Sequence, residues 1–215
     1  MVLSCFSSEQ PRLHLREIAA CTGLDKATLL RVLGIFIANH YVQKLDDGRY
    51  AIGAAVLRLS PLYTAVSDQS ARIATVLRHI VEQTDESASF YARSGAERIC
   101  IARVNAKRGV RSQVEVGHGV ALSKGGAAAH ILLAYTGGKS PRTREVLEQG
   151  YITTIAERDP DLASISLPVF EADGTFAGAL VVASPISRQS AEAWAKAREI
   201  ATAELRAQGY EVVRR

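Results

Sequence analysis

The apolar residues near the start of the chain follow helical spacing, interrupted by one glycine. Between Leu15 and Arg31 this pattern predicts two short helices joined by a tight turn. Gly23 can adopt the positive φ that the turn needs, and Asp25 can cap the second helix by accepting hydrogen bonds from its free N–H groups. Such a pair is typical of a helix-turn-helix, whose second helix enters the DNA major groove.

The outward face of the second helix offers hydrogen-bond donors and few bulky side chains, as contacts to phosphates and base edges require. The candidate DNA-binding residues on this face are Lys26, Ala27, Thr28 and Arg31. An ordinary helical hairpin with a solvated outer face would have the same spacing. The motif alone therefore leaves both interpretations open.

A β-hairpin is predicted after the second helix. Apolar and aromatic residues flank Asp47-Gly48, a dipeptide favoured in type I′ turns. Lys44 and Arg49 would lie on this hairpin, within reach of the phosphates beside the groove. An apolar segment at residues 2–8 looks like the end of a preceding helix. These elements together predict a winged helix-turn-helix domain over residues 1–53.

The next segment, residues 54–66, has apolar residues every three to four positions and predicts a linker helix. Pro61 removes one backbone donor and should kink or split this helix. Its apolar stripe could pack on its own domain or form a contact in a dimer. Both interpretations remain open at this point.

Residues 67–215 alternate between apolar strands and amphipathic helices, which predicts a compact α+β sheet domain. Helices are expected at residues 70–84 and 142–149, at Ala127–Tyr135 and at Ala191–Ala207. Strands are expected at Ser87–Arg93, Arg98–Val104, Gln113–Val116, Ser164–Glu171 and Thr175–Ser184.

Composition argues against a membrane-spanning protein and a cysteine-based metal site, but it does not identify one function. Hydrophobic residues make up 47% of the 215, and the net charge is +4, a mild excess that is compatible with DNA binding. No apolar run approaches the roughly 18 to 20 residues that span a bilayer, so a cytoplasmic protein without a membrane partner is expected. Cys5, Cys21 and Cys100 have no metal-ligand spacing and are expected to be reduced. No metal or cofactor is expected.

The stretch Leu122–Ala129 is rich in glycine and alanine and precedes a predicted helix. Exposed N–H groups at Gly125, Gly126 and Ala127, together with the helix dipole, could hold a carboxylate. A flexible loop with alanines for close helix packing would have the same composition. Spacing alone does not separate the two interpretations.

Nearly the whole chain resembles the IclR-type transcriptional regulators. The N-terminal segments LREIAACTGLDKATLLRVL and GRYAIG match this family, and so do LSKGGAAAHILLAY and GYITTIAERDPDLASISLPVFEADGTFAGALVVASPISR further on. The resemblance implies a GAF-like effector-binding domain after the winged helix-turn-helix. It also implies a homodimer, or a dimer of dimers, on a pseudo-palindromic operator.

The resemblance also implies an effector pocket. By position match, its lining would include Val120, Gly126, Ala127, Thr154, Leu162, Ser164, Val181 and Ala183. Gly125 is added as a candidate because of its exposed backbone amide. Such a pocket, mostly small or apolar with two hydroxyls, suits a small organic acid, including an aromatic one. The sequence departs from the family at Ala27-Thr28 for Ser-Thr, at His40 for Gly, at Ala128-Ala129 for Gly-Lys and at Ser164 for Cys.

Two other function classes compete with this interpretation. Ser123, His118 and His130 could be a nucleophile and bases of an enzyme, but no G-x-S-x-G motif or suitably spaced acid accompanies them. Glu157, Asp159 and Asp161 could suggest a metal site, although a solvated loop explains them more simply. A sensor module that has lost DNA binding is the remaining alternative.

Overall fold

The structure is a computed structural model that describes residues 2–7, 9–66, 68–107 and 114–212, with the backbone alone at 60 and 64–66. The chain divides into two compact units between Asp68 and Gln69. The first unit has one hydrophobic core and the second unit has two. None of the helices in the described ranges is both long and apolar enough to cross a membrane.

The N-terminal unit is a winged helix-turn-helix. Its elements are β1 (Arg12–Leu13), α1 (Leu15–Thr22), α2 (Lys26–Ala38), β2 (Val42–Lys44) and β3 (Tyr50–Ile52). The three strands form an antiparallel sheet in the order β1-β3-β2. Ile18 of α1 packs against Leu29 and Leu33 of α2, and all three are at most 1% exposed. This apolar contact holds the two helices together.

Local chemistry sets the ends of these helices. Gly23 follows α1 with φ +69°, the left-handed conformation in which glycine costs least. Asp25 then caps α2, because its Oδ1 accepts hydrogen bonds from the N–H groups of Ala27 at 2.9 Å and Thr28 at 3.0 Å. The Thr28 hydroxyl and these backbone groups hold the pKa of Asp25 below its ordinary value.

Two expectations for the N-terminal unit were wrong. In the segment at residues 2–8, of which the structure describes 2–7, the described residues form only a 3-10 turn at Leu3–Cys5, since the chain leaves it in extended conformation at Phe6. Cys5 and Cys21 are disulfide-bonded rather than reduced, with their Cα atoms 6.0 Å apart. The tertiary fold brings the 3-10 turn against α1, and a separation of 16 residues does not reveal that contact.

The linker segment is divided, as the proline suggested. A 3-10 helix covers Ala54–Arg58, and helix α3 covers Leu59–Val66. Pro61 lies in the first turn of α3, where its missing N–H has no helical partner to lose. Leu57 and Leu62 of this segment are 77% and 60% exposed, so its apolar stripe remains accessible in the single chain.

The C-terminal unit is an antiparallel sheet between helices. Its helices are α4 (Asp68–Thr84), α5 (Ala127–Tyr135), α6 (Thr143–Gln149) and α7 (Ala191–Ala207). Its strands are β4 (Ser87–Ser94), β5 (Glu97–Val104), β6 (Gly119–Ala121), β7 (Ile152–Ile155), β8 (Leu162–Phe170) and β9 (Phe176–Pro185). The strand order is β6-β5-β4-β9-β8-β7. Helices α4 and α7 pack in one core of the unit, and α5 packs in the other.

The prediction of a strand at Gln113–Val116 was wrong for its described part. Residues 114–116 form no strand, and residue 113 lies outside the described ranges. A turn closed by the hydrogen bond from His118 N–H to Glu115 O, with Gly117 at φ +85°, interrupts the apolar pattern. Pairing with β5 therefore begins only at Gly119. Strands β1, β6 and β7 were not predicted.

Candidate nucleic-acid interface and ligand cavity

Helix α2 presents the predicted polar face to solvent. Lys26, Ala27 and Arg31 are exposed, and Thr28 is half-buried. The N–H groups of Ala27 and Thr28 already bond to Asp25, so the side chains of this face are the groups that remain for DNA. The geometry thus brings the four predicted positions of α2 onto one accessible surface.

The two wing cations differ in their surroundings. Lys44 is exposed at the end of β2. Arg49 forms an ion pair with Asp47 on the same hairpin, with Nη2 2.6 Å from Oδ2, and Arg49 lowers the pKa of that carboxyl. The Nε and Nη2 groups of Arg49 face this carboxylate, whose negative charge weakens the attraction between this part of the wing and a phosphate.

A cavity of about 560 Å³ opens on the α5 face of the sheet. A bulge in β5 shapes it, because the register between β4 and β5 passes from Ala102 to Cys100 and skips Ile101. The bulge turns Arg98 and Arg103 to the same face. The cavity is lined by Ser89, Tyr91, Arg98, Arg103, Val114, His118, Gly126, Ala127, Ala128, Thr154, Glu157, Arg158, Asp159, Leu162, Ser164, Val181 and Ala183.

Seven of the nine positions predicted for the effector pocket line this cavity: Gly126, Ala127, Thr154, Leu162, Ser164, Val181 and Ala183. In the described part of the chain, Val120 and Gly125 are not among its lining residues. The lining is also more charged than expected, because three arginines and two carboxylates contribute to it. Binding of a ligand by these residues stays a prediction.

Arg98 is the most unusual group in the cavity wall. The residue is only 1% exposed, and its Nη1 donates to Gly125 O at 2.6 Å. Its Nε is buried and has no hydrogen-bond partner among the described residues. Burial, together with the nearby Arg158, lowers the pKa of Arg98 to about 10, so the guanidinium remains charged at neutral pH. Arg98 was not predicted as a site residue, because its only signal in the sequence is a cation within an apolar strand.

Glu157 lies in an exposed loop, as expected, but its carboxylate also contacts Gly126 and His130. Its Oε1 accepts hydrogen bonds from Gly126 N–H at 3.0 Å and lies 2.8 Å from His130 Nε2. Burial opposes ionisation of this carboxyl, but the contacts with Gly126 and His130 outweigh burial and leave its pKa below the ordinary value. The amide of Gly126, predicted to be open to a ligand, is therefore occupied by the chain itself.

The histidines give the enzyme interpretation little support. His130 is buried, and its Nδ1 lies 2.6 Å from Ser140 Oγ. Ser140 is not a lining residue of the cavity within the described ranges, and its Oγ accepts the Arg142 N–H at 3.1 Å. His118 lines the cavity. No group of three His, Cys, Asp or Glu side chains in the described part of the chain is placed to hold a metal ion.

Comparison with known proteins agrees with this architecture. Residues 1–46 match the model of the IclR helix-turn-helix domain. The glycerol operon regulatory protein of Streptomyces griseus is 26% identical to this chain, over 94% of this chain and 88% of that relative. Residues 1–46 are accordingly an IclR-type helix-turn-helix domain. The chain as a whole is similar to IclR-type transcriptional regulators.

Solved structures support the same fold along the chain. The IclR regulator of Alicyclobacillus acidocaldarius superposes with a TM-score of 0.75 at 22% identity, covering 97% of this chain and 93% of that one. An IclR homologue of Microbacterium hydrocarbonoxydans, solved in complex with 4-hydroxybenzoate, has a TM-score of 0.64 at 17% identity and covers 96% of both chains. At these identities the likeness concerns the fold alone.

Proposed function

We propose that this IclR-family regulator binds a small organic anion in the cavity of its C-terminal unit and that the anion changes its affinity for operator DNA. The candidate groups for DNA are Lys26, Ala27, Thr28 and Arg31 on α2, with Lys44 and Arg49 on the wing. The ligand shifts operator binding only as far as it prefers one conformation of the protein over another.

The unmet hydrogen-bonding capacity of Arg98 carries the proposal. A buried cation is stable only when it is paired or hydrogen-bonded, and the Nε of Arg98 lacks an acceptor among the described residues. A carboxylate in the cavity that Arg98 lines would neutralise this charge. A guanidinium suits this role because it can bind both oxygens of a carboxylate.

The rest of the cavity wall narrows the ligand class. Thr154 and Ser164 offer hydroxyls, whereas Leu162, Val181 and Ala183 offer apolar surface. This combination favours an acid with an apolar or aromatic body over a sugar or a nucleotide. The 4-hydroxybenzoate bound by the homologue of Microbacterium hydrocarbonoxydans is an acid of this class. It is therefore a suitable first compound for this chain.

We further propose that the regulator acts as a homodimer, or as a dimer of dimers, on a pseudo-palindromic operator. The exposed apolar residues of the linker support a two-fold contact there, since Leu57, Leu59, Leu62 and Tyr63 are all more than 40% exposed. Light scattering at micromolar concentration, with and without operator DNA, tests this assembly. A strictly monomeric mass under both conditions would contradict it.

A thermal-shift screen of organic acids, followed by mobility-shift assays with operator DNA, tests the ligand proposal. A ligand that binds only the folded state raises the apparent melting temperature. We expect Arg98→Met to abolish the shift and the response to ligand while DNA binding itself persists. Arg93→Met is the matched control, because Arg93 pairs with Arg98 in the adjacent strand but bonds to Thr136 instead.

The assays separate the competing functions. If the parent protein binds the ligand but does not shift the mobility of operator DNA, a sensor module without DNA binding would be favoured. Chemical turnover of a stabilising acid would favour an enzyme. An unchanged thermal shift in the Arg98→Met variant would contradict the role of Arg98.

A further inference from the structure

The carboxylate of Glu157 lies in the cavity wall, at the start of α5. Glu157 Oε1 accepts the Gly126 N–H at the start of α5, where backbone amides and the helix dipole favour an anion. We infer that Glu157 is an internal competitor, which an anionic ligand must displace from Gly126 in order to bind. This inference rests on the proposed function and adds to it a mechanism of ligand admission.

Arg98 and the Gly126 amide belong to one site. Arg98 Nη1 bonds to the carbonyl of Gly125, which points away from the Gly126 N–H of the same trans peptide, so only the other guanidinium nitrogens are available on the Gly126 side. A Cβ built on Gly126 would lie 3.6 Å from Arg98 Nη2. One carboxylate could therefore bond to the Gly126 amide and to the guanidinium together. Glu157 satisfies only the amide, because the Nε of Arg98 stays without a partner in the described structure.

The two glycines leave room for two different side chains, Gly125 for Glu157 and Gly126 for Arg158. A Cβ on Gly125 would collide with Glu157 Oε1, and a Cβ on Gly126 would lie 2.8 Å from Arg158 Cδ. The bare backbone thus accommodates side chains of the β7–β8 loop, residues 156–161. A ligand that displaced Glu157 would find the same uncovered surface.

The loop that carries Glu157 is held in a costly conformation. Ala156 has φ +52°, in the left-handed region that non-glycine residues rarely adopt. The hydrogen bond from its N–H to Leu162 O, at 3.0 Å, closes the loop behind it. Ala156 lies immediately before Glu157, so the closed loop fixes the backbone from which Glu157 reaches Gly126.

Isothermal titration calorimetry with benzoate on full-length variants tests the inference, with benzamide as the uncharged probe of the same shape. Glu157→Gln weakens the competing hydrogen bond. Glu157→Asp keeps the charge but shortens the side chain by one methylene, so it no longer reaches Gly126. We expect both variants to bind benzoate about tenfold more tightly than the parent, as suits removal of a charge-assisted hydrogen bond.

Asp159→Asn is the matched control, because Asp159 lines the same cavity but bonds to the Asp161 N–H. This variant loses one negative charge, as Glu157→Gln does, but leaves the bond between Glu157 and Gly126 intact. Its benzoate affinity should therefore stay within about twofold of the parent, since charges without a direct contact contribute little. Benzamide binding should not improve in any of the variants.

Several results would overturn the inference. One is a benzoate affinity that rises as much in Asp159→Asn as in Glu157→Gln but does not rise in Glu157→Asp. The gain would then come from the loss of a negative charge in the cavity and not from the release of Gly126. Another is an equal gain for benzamide, which would mean that the variants only enlarge the cavity. Benzoate affinity that is unimproved, or undetectable, in both Glu157 variants also overturns it. None of these results would decide the proposed function, which is tested separately by the Arg98→Met variant and the organic-acid screen.

Discussion

Thr154 Oγ1 and Ser164 Oγ lie 2.9 Å apart, on directly paired residues of β7 and β8. Either hydroxyl can donate to the other. Because the pair has two protons and its mutual hydrogen bond uses one, one O–H remains to donate to a ligand. The cavity floor therefore offers a directed donor beside its apolar surface.

Removal of one member of this hydroxyl pair should weaken ligand binding without unfolding the protein. For Ser164→Ala we expect the affinity for benzoate to fall about fivefold, which corresponds to the loss of one hydrogen bond worth ~1 kcal/mol. Calorimetric titration measures the change. Ser166→Ala is the control on the same strand, because Ser166 Oγ donates to Leu180 O outside the cavity. Equal losses in both variants would contradict a direct role of the pair.

Arg31, one of two exposed cations on the predicted DNA-binding face of α2, should affect operator affinity. Arg31→Ala is expected to weaken binding and, if Arg31 contacts a phosphate, to reduce the slope of log affinity against log salt by about one. Fluorescence anisotropy at several salt concentrations gives both values. Arg144→Ala is the control, since Arg144 on α6 is 90% exposed and pairs with Glu148. An unchanged affinity in Arg31→Ala would remove this residue from the interface.

The N-terminal fold was predictable because its signals are local. Gly23 provides the left-handed turn and Asp25 caps the next helix, and both effects act within a few residues. The winged helix-turn-helix and the α+β class were confirmed. The disulfide between Cys5 and Cys21 was missed because it depends on tertiary packing.

The chemistry of the cavity depends on contacts that the sequence pattern does not show. Arg98 faces the cavity together with Arg103 only because a bulge skips Ile101, and alternation along β5 would place them on opposite faces. Glu157 reaches Gly126 across 31 residues. Position matching to relatives identified small and apolar lining residues but gave no indication of these charged groups.

A backbone conformation in the N-terminal unit offers a simple stability test. His40 has φ +59° and stands where the family usually has glycine. For His40→Gly we expect a gain of about 0.5 kcal/mol in the free energy of unfolding, because relief of left-handed strain exceeds the added entropy of the unfolded chain. Urea unfolding followed by circular dichroism measures it. His40→Ala keeps the strained φ and should give no gain, so equal stabilisation by alanine would exclude this explanation.

The covalent link between the 3-10 turn and α1 should make the stability of the N-terminal unit sensitive to reductant. Closing a loop over a separation of 16 residues restricts the unfolded chain and stabilises the fold by about 3 kcal/mol in the chain-entropy account. We expect dithiothreitol to lower the urea midpoint of the parent, and Cys21→Ser to lower it without further response to dithiothreitol. Cys100 is free and buried, and burial raises its pKa to about 11, so Cys100→Ser should keep the response. Thiol titration in denaturant should find one reactive thiol per chain before reduction and three after it, and three thiols before reduction would contradict the bond.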